Sequence, residues 1–307
     1  MSGRCVVGKL VVLGVVGFLA QLVDGSLGMA YGVTSSTLLL AVGIAPAAAS
    51  AAVHFSEIGT SLVSGVSHHK LGNVDWRTVG ILAAPGFVGA FAGATFLVSL
   101  PADVARPWVA GILLALGLYV VFRFLVLGGR RPQFKGRPSA AFLAPMGLFG
   151  GALDAIGGGG WGPVGTTTLL SSGRLEPRKV VGSIDTSEFV VAVGGSLGFL
   201  IGLGAAGIEW EIALALLAGG VVAAPIAAYL VKILPARVLG VAAGGLIVLT
   251  NSTTIAQTLG LEGAGVGVLA GAVAVLWVAG IVWAVRDERL ARRLERERTG
   301  EAALEHA

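Results

Sequence analysis

Apolar residues in this chain run in long blocks instead of alternating with a surface face. Blocks near 47–67, 78–99, 106–126, 180–202, 211–233, 237–254 and 264–285 each approach the roughly 20 residues that carry a helix across a hydrocarbon core. Two further apolar regions, 6–43 and 140–172, are broken near their middles. The first is interrupted by Asp24-Gly25-Ser26-Leu27-Gly28 and the second by Asp154-Ala155-Ile156-Gly157-Gly158-Gly159-Gly160. Each half is short for a full span, which predicts a helical hairpin that enters the membrane and turns back at a glycine-rich tip.

Composition agrees. The chain is 55% hydrophobic and 12% charged, with 49 glycines in 307 residues, and its mean hydropathy is +0.88. A soluble domain carries about 25% charged residues to cover its surface. The reading is an all-α polytopic membrane protein whose many glycines let helix backbones approach closely. The net charge of +4 sits in short loops and the tail, so it reports orientation in the bilayer and not nucleic-acid binding. One cysteine, Cys5, leaves no intrachain disulfide framework. Residues 6–20 follow Arg4 and Lys9 like a signal peptide, but Gln21-Leu22-Val23-Asp24 follows them instead of a small-residue cleavage site. They are read as part of the mature chain.

Loop charges set a topology. With the Arg-rich tail in the cytoplasm, the inside loops carry Lys70, Arg77, Arg130, Arg131, Lys135, Arg137, Arg174, Arg178, Lys179, Lys232 and Arg237. The outside loops carry Asp103, Arg106, Glu209, Glu211 and Glu262, so Arg106 is the lone exception to the positive-inside rule. The N-terminus falls outside, despite Arg4 and Lys9.

The chain also repeats. Residues 17–43 shifted by 130 onto 147–173 pair Gly17 with Gly147, Asp24 with Asp154, Gly28 with Gly158, Gly32 with Gly162, Thr37 with Thr167, Leu39 with Leu169, Leu40 with Leu170 and Gly43 with Gly173. With one inserted residue, Pro46 meets Pro177, Ser56 meets Ser187 and Glu57 meets Glu188; later, Pro101-Ala102 meets Pro235-Ala236. Each repeat is then a broken hairpin plus three spans. An odd number of spans inverts the second copy, a recurrent plan of secondary transporters with substrate near the midplane. The expected organisation is a first transmembrane repeat over 1–126, a basic cytoplasmic linker over 127–139 and a second repeat over 140–256. An extra transmembrane helix over 257–285 and a charged cytoplasmic tail over 286–307 follow.

Candidate chemistry lies at two places. The tips Leu27–Gly32 and Gly157–Pro163 each start a second half-helix, whose free N–H groups and positive dipole end suit an anion. Gly28, Tyr31, Thr34, Ser35, Gly157, Gly158, Gly159, Gly160, Trp161 and Thr166 are the candidate substrate-binding residues, with Ser36 and Thr167 as further hydroxyls. The bland alternative is that these glycines serve helix packing alone. Asp24 and Asp154 either brace the tips through backbone N–H groups or move protons; an acid beside an anion site favours the brace.

The second place is His54-Phe55-Ser56-Glu57 and its echo Asp185-Thr186-Ser187-Glu188. An unpaired acid at mid-membrane costs about 2.5 kcal/mol or more. His54, Ser56, Glu57, Asp185, Ser187 and Glu188 are therefore candidates for proton coupling or gating; the bland alternative is that they satisfy one another inside the helix bundle. His68 and His69, beside Lys70, are read as solvated. Asn251 to Thr254 either line a pathway or bond across helices. Trp76, Trp108, Trp210, Trp277 and Trp283 suit membrane interfaces, whereas Trp161 does not.

The broken hairpins, Gly157-Gly158-Gly159-Gly160-Trp161-Gly162-Pro163 and Val181-Gly182-Ser183-Ile184-Asp185-Thr186-Ser187-Glu188-Phe189 resemble the TauE/SafE family over about residues 10–255. The resemblance implies transport, often export, of sulfite, sulfoacetate or another organosulfonate. Its first tip, Asp24–Gly28, holds less glycine than the second. No cofactor is implied, and no nucleotide-binding loop is present. Proton-coupled alternating access is the leading expectation. The competing readings are a divalent metal carrier using His54, Glu57, Asp185 and Glu188, and an intramembrane enzyme, for which no nucleophile–base pair is in register.

Overall fold

The computed structural model describes residues 3–126, 136–230 and 236–305. Most of the predicted linker, with Arg130, Arg131 and Lys135, lies outside these residues, as does Lys232 with the end of the 211–233 segment. Eleven α-helices and one short 3-10 turn (Ala205–Gly207) make up the described fold, without strands. They are α1 (Gly3–Leu27), α2 (Tyr31–Ala41), α3 (Pro46–Lys70), α4 (Trp76–Ser99), α5 (Ala102–Leu125), α6 (Ala140–Gly157), α7 (Trp161–Ser172), α8 (Pro177–Leu203), α9 (Trp210–Leu230), α10 (Ala236–Thr258) and α11 (Ala264–Glu305).

Local chemistry explains the boundaries. Pro46 and Pro177 open α3 and α8, where a missing N–H costs nothing. Asp75 caps α4 by accepting the Thr78 N–H at 2.9 Å. Gly28 (φ 68°) and Gly158 (φ 66°) end α1 and α6 in the left-handed region, which a β-carbon disfavours.

Eight described helices are long and apolar enough to cross a membrane: α1, α4, α5, α6, α8, α9, α10 and α11. The broken hairpins therefore have unequal arms. α1 (25 residues) and α6 (18 residues) are long, while α2 (11 residues) and α7 (12 residues) are too short to span. This differs from the two short halves expected, because the apolar run before each break continues as one helix. α3 has 25 residues but lacks the apolarity of the eight. Its polar residues instead form one stripe inside the bundle.

The two halves interlock. α1 packs on α9 as α6 packs on α4, and α3 packs on α9 as α8 packs on α4. α3 meets α8, and α5 meets α10. Exchanging α1–α5 for α6–α10 returns the same pairs, the pattern of a two-fold exchange. Small residues permit it. At the α4–α6 interface, Gly93 and Gly147 lie directly against the Ala152 and Leu82 carbonyls, leaving no room for β-carbons. α11 continues from its span into the charged segment as one helix and packs mainly on α10. There Arg237 pairs with Asp287 and stacks over the Trp283 ring at 4.4 Å. Trp277 lies midway along the α11 span against Gly245, not at a helix end, because Gly245 leaves room for the indole.

Candidate functional site

The two breaks meet at the centre. Gly159 lies against Gly32 and Val33, and Gly162 lies against Gly28 and Met29, so each tip packs on the first turn of the other half's short helix. Hydrogen bonds repeat the exchange. The Ser36 hydroxyl donates to the Gly158 carbonyl at 2.6 Å, and Thr166, one repeat later, donates to the Gly28 carbonyl.

Each tip is braced by its own aspartate. Asp154 Oδ1 accepts the N–H groups of Gly160 at 2.6 Å and Trp161 at 3.0 Å. Asp24 Oδ1 accepts the Tyr31 N–H at 3.3 Å. The first N–H groups of α7, expected to face an anion, are thus taken up by a fixed carboxylate. The side chains that follow also look inward. The Tyr31 hydroxyl lies 2.9 Å from Ser56 Oγ, and the Trp161 indole N–H donates to the Ile184 carbonyl at 3.0 Å. Ser35 is buried with its hydroxyl unpartnered among the described residues. Thr34 is half-buried on α2. Thr167 bonds the Pro163 carbonyl of its own helix. Gly157 faces Ile112 and Leu113 of α5, away from the opposite tip.

The acidic residues form two crossed groups. His54 and Glu57 of α3 join Asp154 at the end of α6, while Asp185 and Glu188 of α8 join Asp24 at the end of α1. In each group the ligand-type atoms lie within 4.8 Å of one another and all three residues are buried. The 131-residue shift carries His54 and Glu57 onto Asp185 and Glu188, and the 130-residue shift carries Asp24 onto Asp154. Each half therefore supplies two members of one group and one of the other. The helical i, i+3 spacing puts each pair on one face. Ser56 and Ser187 sit beside these faces and bond the Val53 and Ile184 carbonyls.

In the first group, His54 Nε2 is 3.3 Å from Asp154 Oδ2. Its Nδ1 is 2.9 Å from the Ser50 carbonyl oxygen. A carbonyl only accepts, so Nδ1 carries hydrogen, and Nε2 turns toward Asp154, where an attractive contact requires a proton on one of the two facing atoms. Both Glu57 oxygens lack hydrogen-bond partners among the described residues. In the second group, Ser64 Oγ donates to Asp185 Oδ2, and His68 Nε2 stands 3.4 Å from the same oxygen.

His68 corrects the sequence reading. Its neighbours along the chain place it in solvent beside His69, yet it is fully buried, held between Asp185 and the Asn73 side chain, whose amide lies 3.2 Å from Nδ1. His69 is exposed, against Trp76. The physical reason is helical phase: Ser50, His54, Glu57, Ser61, Ser64 and His68 recur at alternating spacings of four and three, one inward stripe of α3. That period is the signal that finds His68 and Ser64 from sequence. The repeat position of His68 is Phe199, which meets His54 edge-on at a centroid distance of 5.6 Å.

Comparison with known proteins gives the family. The family described as Sulfite exporter TauE/SafE matches residues 13–254. A relative described as "Probable membrane transporter protein YtnM", from Bacillus subtilis (strain 168), is 53% identical over 248 residues, 80% of this chain and 83% of the relative. A second, "Probable membrane transporter protein YdhB" from the same organism, is 28% identical over 142 residues, 46% of this chain and 58% of the relative. No solved structure matches the chain. With eight apolar spans, a family match over most of its length and a 53% identical relative, this chain is a multi-pass membrane transporter belonging to the TauE/SafE family.

Proposed function

We propose that this transporter moves a small sulfur-containing anion, such as sulfite, sulfoacetate or another organosulfonate, out of the cell with coupled proton movement. The observation that supports the reading most is the crossing of the two acidic groups between the halves. Buried carboxylates need a positive partner. Protons supply it here, and a core whose carboxylates are protonated no longer repels an anion. If one half rocks against the other, Asp154 leaves His54 and Glu57 while Asp24 leaves Asp185 and Glu188. Proton occupancy and the position of the halves are then linked, as alternating access requires. The halves are inverted relative to one another, with the C-terminus in the cytoplasm of a cell-membrane protein, as the loop charges indicate.

The test is transport in proteoliposomes with labelled sulfite, sulfoacetate and taurine under imposed pH gradients. Uptake of one of these anions, accelerated by a gradient of one sign, is the expected result. Failure to move any of them, or indifference to the gradient, overturns the reading.

A second reading takes a divalent metal ion as cargo. It is favoured by His54, Glu57 and Asp154 gathering one nitrogen and several oxygen ligand atoms in one buried cluster, with both Glu57 oxygens unpartnered, a mixed set that suits transition metals. Thermal stabilisation by such a cation, lost in Glu57→Gln, would favour it; insensitivity of transport to chelators would sink it.

A further inference from the structure

Among the loops between spans, Arg106 is the one cation on the side that the positive-inside reading assigns to the outside. It lies in the first turns of α5, near the end of α2 and the end of α10. These three ends line a half-open cavity of about 420 Å³. One Arg106 nitrogen donates to the Leu40 carbonyl at 2.5 Å, which holds the guanidinium at the cavity wall. Its remaining N–H groups are available, and among the described residues it forms no ion pair. The wall opposite is built from Thr254, Gln257 and Thr258. The cavity lining contains no acid.

The cavity also leads somewhere. One turn deeper, the Asn251 side-chain amide donates to Thr37 Oγ1 at 2.8 Å across the α10–α2 seam. Beside Thr37, Ser36 bonds the Gly158 tip. A polar seam therefore runs from Arg106 to the paired tips. The second half lacks an equivalent. Aligning Pro101-Ala102 with Pro235-Ala236 puts Gly240 at the place of Arg106, and Gly240 is packed against the Phe124 ring.

We infer that this cavity is an anion-gathering mouth on one end of the transporter, where Arg106 draws in a small sulfonate or sulfur oxyanion. The identity of the cargo rests on the proposed function; the anion preference of the cavity rests on its own residues. A guanidinium keeps its positive charge at any working pH, and here it holds free donors at the cavity wall. A charge in a concave, acid-free wall also raises the local anion concentration.

The experiment labels a cysteine in the cavity. In a Cys5→Ser background, Gln257→Cys is reacted with sulfonatoethyl methanethiosulfonate, itself a small sulfonate, and with its trimethylammonium analogue of similar size. We expect the sulfonate reagent to gain about tenfold or more relative to the cationic one when Arg106 is present, compared with Arg106→Gln. Arg106→Lys, which keeps the charge, should retain most of that preference. A reagent ratio indifferent to Arg106 overturns the inference, whatever transport assays give. So does a loss in Arg106→Lys equal to that in Arg106→Gln, because Arg106 would then serve only to cap Leu40. A preserved ratio in a protein that moves no sulfur anion overturns the proposed cargo and leaves the cavity an anion site.

Discussion

Ser36 donates its hydroxyl to the carbonyl of Gly158 at 2.6 Å, joining the short helix of one half to the broken tip of the other. Its repeat partner Thr166 makes the reciprocal bond to Gly28. Backbone carbonyls at a helix break have no intrahelical partner, and in a membrane interior water cannot replace one. The two hydroxyls meet that need, and they tie the halves together where any relative movement must begin.

Ser36→Ala should therefore lower stability by about 1–2 kcal/mol, the penalty for leaving a buried carbonyl unpaired. Thr166→Ala should act similarly. Thermal unfolding in detergent reads both. Gly158→Ala should be more severe, because φ 66° disfavours a β-carbon that would also strike Ser36. Normal transport by Gly158→Ala would remove the tip from the mechanism.

Asp154 bonds two N–H groups with one oxygen and faces His54 with the other. Replacing it separates those roles. Asp154→Asn keeps an acceptor for Gly160 and Trp161 but loses the charge, so the protein should fold with near wild-type stability and transport at least about tenfold more slowly. Asp154→Ala should also lose about 1–3 kcal/mol of stability, since the tip donors are orphaned. Unimpaired transport by Asp154→Asn would assign the residue to bracing alone.

The crossed grouping predicts a pattern of coupling. Glu57→Gln and Asp154→Asn alter one group, and their effects on transport should be non-additive by about 0.5–3 kcal/mol. Glu57→Gln and Asp24→Asn alter different groups and should combine more nearly additively. Within the second group, Glu188→Asp should be milder than Glu188→Gln if the carboxylate carries protons. Equal effects of those two changes would point to packing.

Asp75 offers a pH test outside the membrane-spanning segments. Partial burial opposes its ionised form, but the Thr78 N–H and hydroxyl, with Arg137 and Lys179 nearby, outweigh burial and hold its carboxyl below the usual range. A folded-state value below the unfolded one stabilises the fold at neutral pH. That contribution fades as pH falls from about 3.9 through the lower folded value. Asp75→Ala should cost about 1 kcal/mol as a lost helix cap. Asp75→Asn keeps the cap, and its deficit relative to wild type at neutral pH should vanish in strong acid. Thermal melts across that pH range check the sign.

Much of this molecule is legible along the chain because hydropathy and helix breaking are local properties. The apolar blocks locate α4, α5, α8, α9 and α10 to within a few residues, and they locate the start of α11 but not its continuation into the charged segment. Gly28 and Gly158–Gly160 mark both breaks, because helix termination there depends on backbone freedom at those positions. The i, i+3 pairs His54/Glu57 and Asp185/Glu188 announce themselves because a helix fixes which neighbours share a face. The short arms are visible too, though α1 and α6 run on past Asp24 and Asp154 to Leu27 and Gly157: an acidic residue in an apolar run does not by itself state where a helix ends.

What the chain could not disclose is which faces meet. Asp154 belongs with His54 and Glu57, far earlier in the chain, only because α6 ends where α3 crosses the centre of the bundle. His68 is buried because α8 brings Asp185 to the inward stripe of α3; without that partner, a histidine beside His69 and Lys70 looks like a solvated helix end. The start of α7 reads as an open anion site until the Asp154 carboxylate is seen to fill it. Arg106 reads as a stray charge until the ends of α2 and α10 close a cavity around it. Sequence by itself determined the class, most of the spans, the breaks and the residue types placed in the membrane. Tertiary structure alone decided their partners, because contact between distant segments depends on how whole helices pack, while hydropathy and spacing record only what each segment prefers for itself.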